Sequence, residues 1–97
     1  MEMIIRRAIR THKLIEFYHD GAFRIVEPYC LGISSRGNLL LRAYQVAGGS
    51  TSGHIPPWRL FDVGKMSRTL ILGESYSPAR PEYNPVDPAM QTILATA

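Results

Sequence analysis

Cysteine is almost absent from this sequence, which contains a single one, Cys30, among its 97 residues. One cysteine cannot form a disulfide within the chain. Without a second cysteine, the scattered His12, His19 and His54 also lack the spacing of a metal-binding motif. We therefore expect no metal site and no cofactor, and the cysteine content fits a cytoplasmic protein.

Long hydrophobic runs are missing as well. No apolar segment approaches the roughly 20 residues that a helix needs to cross a bilayer. The first ten residues, MEMIIRRAIR, interleave arginine with apolar residues, whereas a signal peptide places its charges before an uninterrupted apolar stretch. We therefore expect neither membrane insertion nor secretion.

Motifs of the common enzyme classes are also lacking. The chain has no nucleophile-elbow pattern, no phosphate-binding glycine loop and no paired carboxylates within one motif. Catalysis would require Glu16, Glu27 and the histidines to converge in the fold, and nothing in the sequence predicts that they do. We expect a non-catalytic protein with no catalytic residues.

Lysine is scarce, because nine of the eleven basic residues are arginine. The net charge is +3, and arginine offers a planar fork that matches phosphate and carboxylate groups. This bias indicates an anionic partner, although an arginine-rich coding genome explains it equally well. Arg6, Arg7 and Arg10 are expected on the solvated face of a helix, where they would alternatively steer nucleic acid.

Hydrophobic periodicity predicts one helix followed by short strands. Apolar residues at Ile4, Ile5, Ala8 and Ile9 form one stripe of an amphipathic helix over residues 2–12. Asp20-Gly21 is typical of a two-residue hairpin turn, and residues 34–38 have the Ser, Gly and Asn of another turn. The predicted strands cover residues 13–19, 23–29, 29–33, 39–46, 58–63 and 69–73, with a long Gly, Ser and Pro loop at 47–57.

This order of elements predicts a mainly β domain with one N-terminal helix. We expect a small, strongly bent antiparallel barrel of five or six strands over residues 1–75. Residues 76–97 hold four of the seven prolines and are predicted to be an extended segment, closing with a helical turn, that packs on the barrel or on a partner. A domain of this size buries little surface alone, so a homodimer is expected.

Several short motifs follow one another in a defined order between residues 4 and 72. The first is Ala8, Ile9, Ile15, Phe17 and Tyr18; the second is Arg24, Val26 and Pro28; the last is Trp58, Arg59 and Leu60. Together they resemble the WYL domain, a bacterial Sm-like small barrel. The strand that carries Trp-Tyr-Leu in that family reads Leu39, Leu40, Leu41 here, followed by the matching Ala43 and Tyr44.

The resemblance implies a function in ligand sensing. WYL domains sense ligands such as nucleotides or short nucleic acids through a pocket of basic and polar side chains, and they occur in transcription regulators of DNA-damage and phage-defence systems. Most follow a DNA-binding helix-turn-helix, which a single N-terminal helix cannot form. A separately encoded DNA-binding regulator is therefore a further expected partner.

The most informative candidate residues lie in the strand LLLRAYQV. Strand alternation places Arg42 and Tyr44 on one face and Leu41 and Ala43 on the other. An arginine fork beside a tyrosine ring suits a phosphate and a stacked base. The alternative is that Arg42 pairs with Glu16 or Glu27 on a neighbouring strand and that Tyr44 lies at the edge of the core.

Five further residues complete the predicted ligand site. Arg59, which faces opposite to Trp58 and Leu60, corresponds by resemblance to an arginine of the ligand pocket. Arg24 joins the same basic face or is an exposed edge charge that opposes aggregation. Ser34 and Arg36 contact phosphate or belong only to a solvated turn, and His54 lies near the barrel mouth or is exposed. Cys30 is expected in the core. Trp58 and Phe61 are expected in the core or in a dimer contact, the alternative being a stacking platform.

Two functions follow from this reading. The first is a regulatory module whose basic face, centred on Arg42, Tyr44 and Arg59, binds a nucleotide or a short single-stranded nucleic acid under a loop at 48–57. The second is a protein-interaction or dimerisation module without a nucleic-acid ligand.

Overall fold

The protein is mainly β, with one helix at the N-terminus. A computed structural model describes residues 1–49 and 57–97. Within them, the elements are α1 (Glu2–Thr11), β1 (Lys13–His19), β2 (Ala22–Ile33), β3 (Leu39–Gly48), β4 (Trp58–Asp62), β5 (Met66–Ser75) and β6 (Thr92–Thr96), with a short 3-10 turn (Val63–Lys65) between β4 and β5. The predicted helix and the mainly antiparallel β architecture are confirmed.

Helix α1 covers one side of the core. Its buried residues are Ile5, Ala8 and Ile9, which form most of the predicted apolar stripe. The helix ends at His12, whose left-handed backbone (φ 54°) lets its N–H bond back to the last turn. This sharp end allows β1 to begin at the next residue.

The hairpin between β1 and β2 forms where the sequence predicts it. Asp20 and Gly21 both have positive φ, at 51° and 73°, as a two-residue turn that matches the twist of the strands requires. His19 lies opposite Ala22, and the register places Phe17 opposite Arg24. Arg24 therefore shares a face of the sheet with Phe17.

Strand β2 is longer than predicted, because residues 23–29 and 29–33 form one strand rather than two. The chain continues through Pro28, and the ladder to β3 shifts its register between Pro28 and Cys30. A bulge at this point accommodates a proline that cannot donate a ladder hydrogen bond. Beyond the bulge β2 pairs with β6, so the strand contacts β1, β3 and β6.

The sheet is bent but does not close into a barrel. The strand order is β4-β3-β2-β1-β5, with β6 on β2. Among the described residues no ladder joins β4 to β5, so the predicted closed barrel is wrong. β4 has only five residues, and Arg68 with φ 54° interrupts the extended backbone of β5.

The bend follows from the dimensions of the molecule. An extended strand of 12 residues such as β2 would span roughly 40 Å, yet the molecule measures 28 × 28 × 26 Å. The strands must therefore curve. The concave side, here called the inner face, carries Phe17, Val26, Leu41 and Phe61 and packs on α1.

The opposite side of the sheet, here called the outer face, is covered by the C-terminal segment. Residues 76–91 cross this face before β6 pairs with β2. Tyr29 packs there against Tyr76 and Tyr83. The predicted closing helical turn is wrong, because the segment ends in strand β6. The division at residue 75 into a barrel and an extension stays a prediction.

No described helix has the length and apolar character needed to span a membrane.

Candidate anion-binding site

The register of β3 and β4 separates the two arginines that the sequence reading placed on one basic face. Ala43 lies opposite Arg59, and Arg42 lies opposite Leu60. Directly opposed residues share a face, so Arg59 is on the inner face with Ala43, whereas Arg42 and Tyr44 are on the outer face. The structure brings Arg42 and Tyr44 together but does not bring Arg59 to them.

Arg42 is held by a carboxylate from the C-terminal segment. Its Nε donates to Asp87 Oδ2 at 2.7 Å, and its Nη2 donates to Asp87 Oδ1 at 3.3 Å. Asp87 is buried. Burial alone would raise the pKa of Asp87, but hydrogen bonds from Arg42 and from the Ala89 amide, with the charge of Arg42, lower it. The alternative in which Arg42 is ion-paired is thus correct in kind, but its partner is neither Glu16 nor Glu27.

Tyr44 is covered by a second contact from the same segment. The Arg80 guanidinium lies 3.8 Å from the centroid of the Tyr44 ring and forms a forked hydrogen bond with Glu27, at 2.9 and 3.0 Å. Tyr29 also donates to Glu27 Oε1. The hydrogen bonds to Glu27 raise the pKa of Arg80. Arg42 and Tyr44, the pair predicted to share one face, therefore both contact this chain's own C-terminal segment.

A cavity of about 260 Å³ remains beside these contacts on the outer face. Its lining includes Arg42, Trp58 and Asp87, and Trp58 Nε1 donates to Glu82 at 3.1 Å. Trp58 also meets the Tyr44 ring edge-on at 5.4 Å. The Trp58 indole is bonded to Glu82, and Arg42 and Asp87 are bonded to each other. This cavity therefore offers few unused hydrogen-bond donors.

On the inner face, three cationic or potentially cationic side chains surround one ring. The guanidinium carbons of Arg24 and Arg59 lie 5.3 and 5.9 Å from the Phe61 ring centroid, and the His19 ring lies 5.1 Å from it. We call Arg24, Arg59, His19 and Phe61 the inner cluster. Arg24 is only 1% exposed, so its alternative role as an exposed edge charge is wrong. β2 lies in the middle of the sheet, where it has no free edge at Arg24.

Within the part of the chain that the structure describes, the inner cluster contains buried nitrogen atoms without hydrogen-bond partners. These are Arg24 Nε, Arg59 Nη1 and His19 Nε2. The described acceptors of the remaining Arg24 donors are neutral: the His19 carbonyl at 3.1 Å and Gln45 Oε1 at 3.4 Å. Among the described residues neither arginine of the cluster has a carboxylate partner. Buried donors are nearly always satisfied in proteins, so this cluster is exceptional.

Electrostatics within the inner cluster disfavour positive charge. Burial and then the nearby charge of Arg59 lower the pKa of Arg24. Burial is also the largest influence on His19 and lowers its pKa, partly offset by Asp20, whose carboxylate lies 3.7 Å from His19 Nδ1. An anion placed among these groups would relieve both the repulsion and the missing hydrogen bonds.

Gln45 connects the inner cluster to a surface cavity. Its Oε1 accepts from Arg24, while its Nε2 donates to the Gly49 carbonyl at 3.1 Å. It also lines a cavity of about 230 Å³ together with Val46, Ala47, Gly48 and Pro57. The cluster is therefore one side chain away from an opening at the end of β3.

Ser34 and Arg36 lie away from both groups, at the opposite end of β2 from Arg24. Ser34 Oγ accepts from the backbone N–H groups of Arg36 and Asn38, which stabilises the turn. Arg36 is exposed. These two residues form a solvated turn, as the simpler reading of the sequence predicted. His54 lies outside the described residues. Most of the loop at 48–57 that was predicted to cover the ligand lies outside them as well.

Cys30 and Phe61 belong to the interior, as predicted, and Trp58 is half-buried on the outer face. Burial, with the charge of Asp87, raises the pKa of the Cys30 thiol to about 11, which disfavours the reactive thiolate. No group of metal-ligating side chains occurs in residues 1–49 and 57–97.

Sequence reasoning missed several residues of these two faces. His19 follows Ile15 and Phe17 at alternate positions of β1, so strand alternation contained the signal for its inward orientation. Gln45 follows Leu41 and Ala43 in the same way. Asp87 and Arg80 lie in an irregular proline-rich segment whose path has no periodic signal.

Comparison with models of protein families, with curated proteins and with solved structures found no match.

Proposed function

We propose that this chain is a non-catalytic, WYL-type ligand-sensing module that binds a nucleotide or a short single-stranded nucleic acid. The binding site is the inner cluster, in place of the single basic face centred on Arg42. The observation that carries the proposal is the pair of arginines, Arg24 and Arg59, which lie around Phe61 and have, among the described residues, unpartnered buried nitrogens and no carboxylate.

The energetics of burial support an anionic ligand. A buried arginine without an opposite charge costs several kcal/mol, so a protein that retains the buried Arg24 beside the half-buried Arg59 has a use for them. Arginine donates to phosphate oxygens through a planar fork, and charge-assisted hydrogen bonds are among the strongest in proteins. Arg42 shows the contrast, because Asp87 already fills its fork.

The sequence resemblance supports the class of function. The resemblance implies a pocket of basic and polar side chains, and the inner cluster is such a group. Arg24 and Arg59 both stand at positions that match WYL motifs. Because Leu39 and Leu40 replace the Trp-Tyr pair, stacking on that strand is not part of the proposal.

Binding of fluorescently labelled single-stranded oligonucleotides and nucleotides tests the proposal. We expect saturable binding that weakens as salt rises, because phosphate contacts release counterions. Arg59→Ala should weaken binding at least about tenfold, since it removes a charge-assisted hydrogen bond. Arg36→Ala is the matched control, because it removes the same charge from an exposed turn.

Two outcomes would refute the inner cluster as the site. One is unchanged affinity in a folded Arg59→Ala variant. The other is equal weakening by Arg59→Ala and Arg36→Ala, which would indicate only diffuse electrostatic attraction. Circular dichroism of each variant establishes that it is folded.

A second candidate function, self-association, is favoured by the two ends of the sheet. β4 and β5 each pair with only one described strand, and they expose Leu60 and Leu70, which are 40% and 59% accessible. Exposed edges accept further strands. Light scattering that reports a dimer, converted to a monomer by Leu70→Lys but not by Ser67→Lys, would support this function.

A further inference from the structure

The inner cluster is a deep site and not a groove. Arg24 and Phe61 are each 1% exposed, and His19 is 9% exposed. Only Arg59 is half-buried, so it is the member of the cluster that reaches the surface. A group that contacts Arg24 must therefore project inward from the rest of its molecule.

This depth discriminates between the two kinds of phosphate in a nucleic acid. An internal phosphodiester has a nucleoside on each side, and neither nucleoside can follow it past side chains that are nine-tenths buried. A terminal phosphate is attached on one side only and can enter while the sugar and base remain outside. Gln45, which accepts from Arg24, also lines a surface cavity of about 230 Å³ whose described lining contains none of the four cluster residues.

Charge balance favours the same group. Arg24 and Arg59 together carry two positive charges, and no carboxylate of the described residues is ion-paired with either of them. A phosphomonoester carries about −1.5 to −2 charges at pH 7, whereas a phosphodiester carries a single charge. The dianion matches the two positive charges of the buried Arg24 and the half-buried Arg59, whereas a diester matches only one of them.

The number of unused nitrogens also fits a terminal phosphate. Arg24 Nε, Arg59 Nη1 and His19 Nε2 are three buried atoms without partners among residues 1–49 and 57–97. A phosphomonoester presents three non-bridging oxygens, and a phosphodiester presents two. His19 donates from Nε2 when it is protonated or when its neutral ring carries the proton there.

We propose that the inner cluster binds the terminal phosphate of its ligand, a phosphomonoester dianion at the end of a nucleotide or oligonucleotide, and not an internal phosphodiester. This inference rests on the proposed function. Under this proposal the module recognises the phosphorylated end of its ligand.

The experiment compares one short labelled oligonucleotide in three forms: with a 5′-phosphate, with a 3′-phosphate and with neither. We expect at least one phosphorylated form to bind about tenfold or more tightly than the unphosphorylated form. This preference should disappear in Arg59→Ala and persist in Arg36→Ala. Arg59 is chosen because it is half-buried, so its loss should disturb folding less than loss of Arg24.

The outcomes separate this inference from the function on which it rests. Equal binding of all three forms, weakened by Arg59→Ala, would overturn end recognition and leave nucleic-acid binding intact. A preference for one form that survives in the folded Arg59→Ala variant would also overturn it, because the selectivity would then lie elsewhere. No binding of any form would overturn both proposals.

Discussion

At the scale of single residues, three arginines show that the same type of side chain can have different partners on the two faces of one sheet. Arg42 has a buried carboxylate partner, whereas Arg24 and Arg59 have none among the described residues. Alternation along a strand predicts which face each side chain takes. It does not predict what crosses that face.

The buried ion pair should respond to loss of its carboxylate far more than an exposed pair does. Asp87→Asn leaves the partly buried Arg42 fork without its charge partner, and we expect a loss of about 1–3 kcal/mol in the free energy of unfolding. Glu2→Gln is the matched control, because Glu2 and Arg6 form a salt bridge of similar length, 2.8 Å, on the helix surface. Its expected effect is below about 0.5 kcal/mol. Urea unfolding measures both, and equal losses would contradict the assignment.

His19 should make stability depend on pH in the acidic range. Its pKa is lowered in the folded protein, so the unfolded chain binds a proton more readily. Stability conferred by the neutral ring is therefore complete above the unfolded pKa of about 6.5 and declines as pH falls below it. The charged groups that influence the ring are Asp20, Arg24, Lys65 and Asp62.

Thermal melting between pH 7.5 and pH 5 measures this dependence. We expect the melting temperature to fall with pH in this interval and His19→Gln to flatten the slope. His12→Asn, which replaces a histidine outside the inner cluster at the end of α1, is the control. A slope that flattens in His12→Asn and not in His19→Gln would contradict the assignment of the pH dependence to His19.

At the scale of elements, β2 organises the molecule because β1, β3 and β6 all pair with it. The approach of β6 depends on Gly32. A Cβ atom at that position would overlap Met90 Sδ and the Thr92 carbonyl oxygen. The close contact explains why glycine interrupts an otherwise apolar strand.

Gly32→Ala should therefore disturb the docking of the C-terminal segment. We expect a loss of about 1–3 kcal/mol in the free energy of unfolding, in line with overpacking of a filled interior. Gly73→Ala is the control, since a Cβ atom there meets no described atom within 4 Å. Hydrogen exchange of the β6 amides should accelerate in Gly32→Ala only. Unchanged exchange would show that β6 docks independently of this contact.

Elements with local signals were predictable, and those set by distant contacts were not. The stripe of α1 and the Asp20-Gly21 turn each depend on residues close together in the sequence, and both are confirmed. The continuity of β2 through Pro28 depends on a bulge against β3. Strand β6 depends on pairing with residues about 60 positions earlier. Neither relation leaves a periodic pattern.

For the whole molecule, the C-terminal segment completes the outer face. Tyr29 packs against Tyr76 and Tyr83 from that segment, and Glu27 accepts from Arg80. Without it, an aromatic cluster and a buried carboxylate would face water or remain unpaired. The sequence composition predicted an extension that packs on the sheet or on a partner, but not which side chains it would cover.

A chain shortened to residues 1–75 should therefore not unfold cooperatively. We expect a broad thermal transition and increased binding of a hydrophobic dye, because the outer-face aromatic residues lose their cover. The full chain carrying Val86→Ser is the control, since Val86 is 74% exposed within the same segment. A sharp transition of the shortened chain would show that residues 1–75 fold alone.

The burial of Cys30 gives the molecule an internal reporter of its own opening. The thiol is fully enclosed, with its sulfur 3.8 Å from Met90 Sδ, and Thr96 of β6 lies opposite it across the ladder. A thiol reagent can react only when the C-terminal segment lifts away, so the labelling rate under native conditions counts these openings. Because the chain contains one cysteine, the labelling rate can be measured without introducing another site. Ligand binding that stabilises the sheet would slow the labelling of Cys30, and binding that destabilises the sheet would accelerate it.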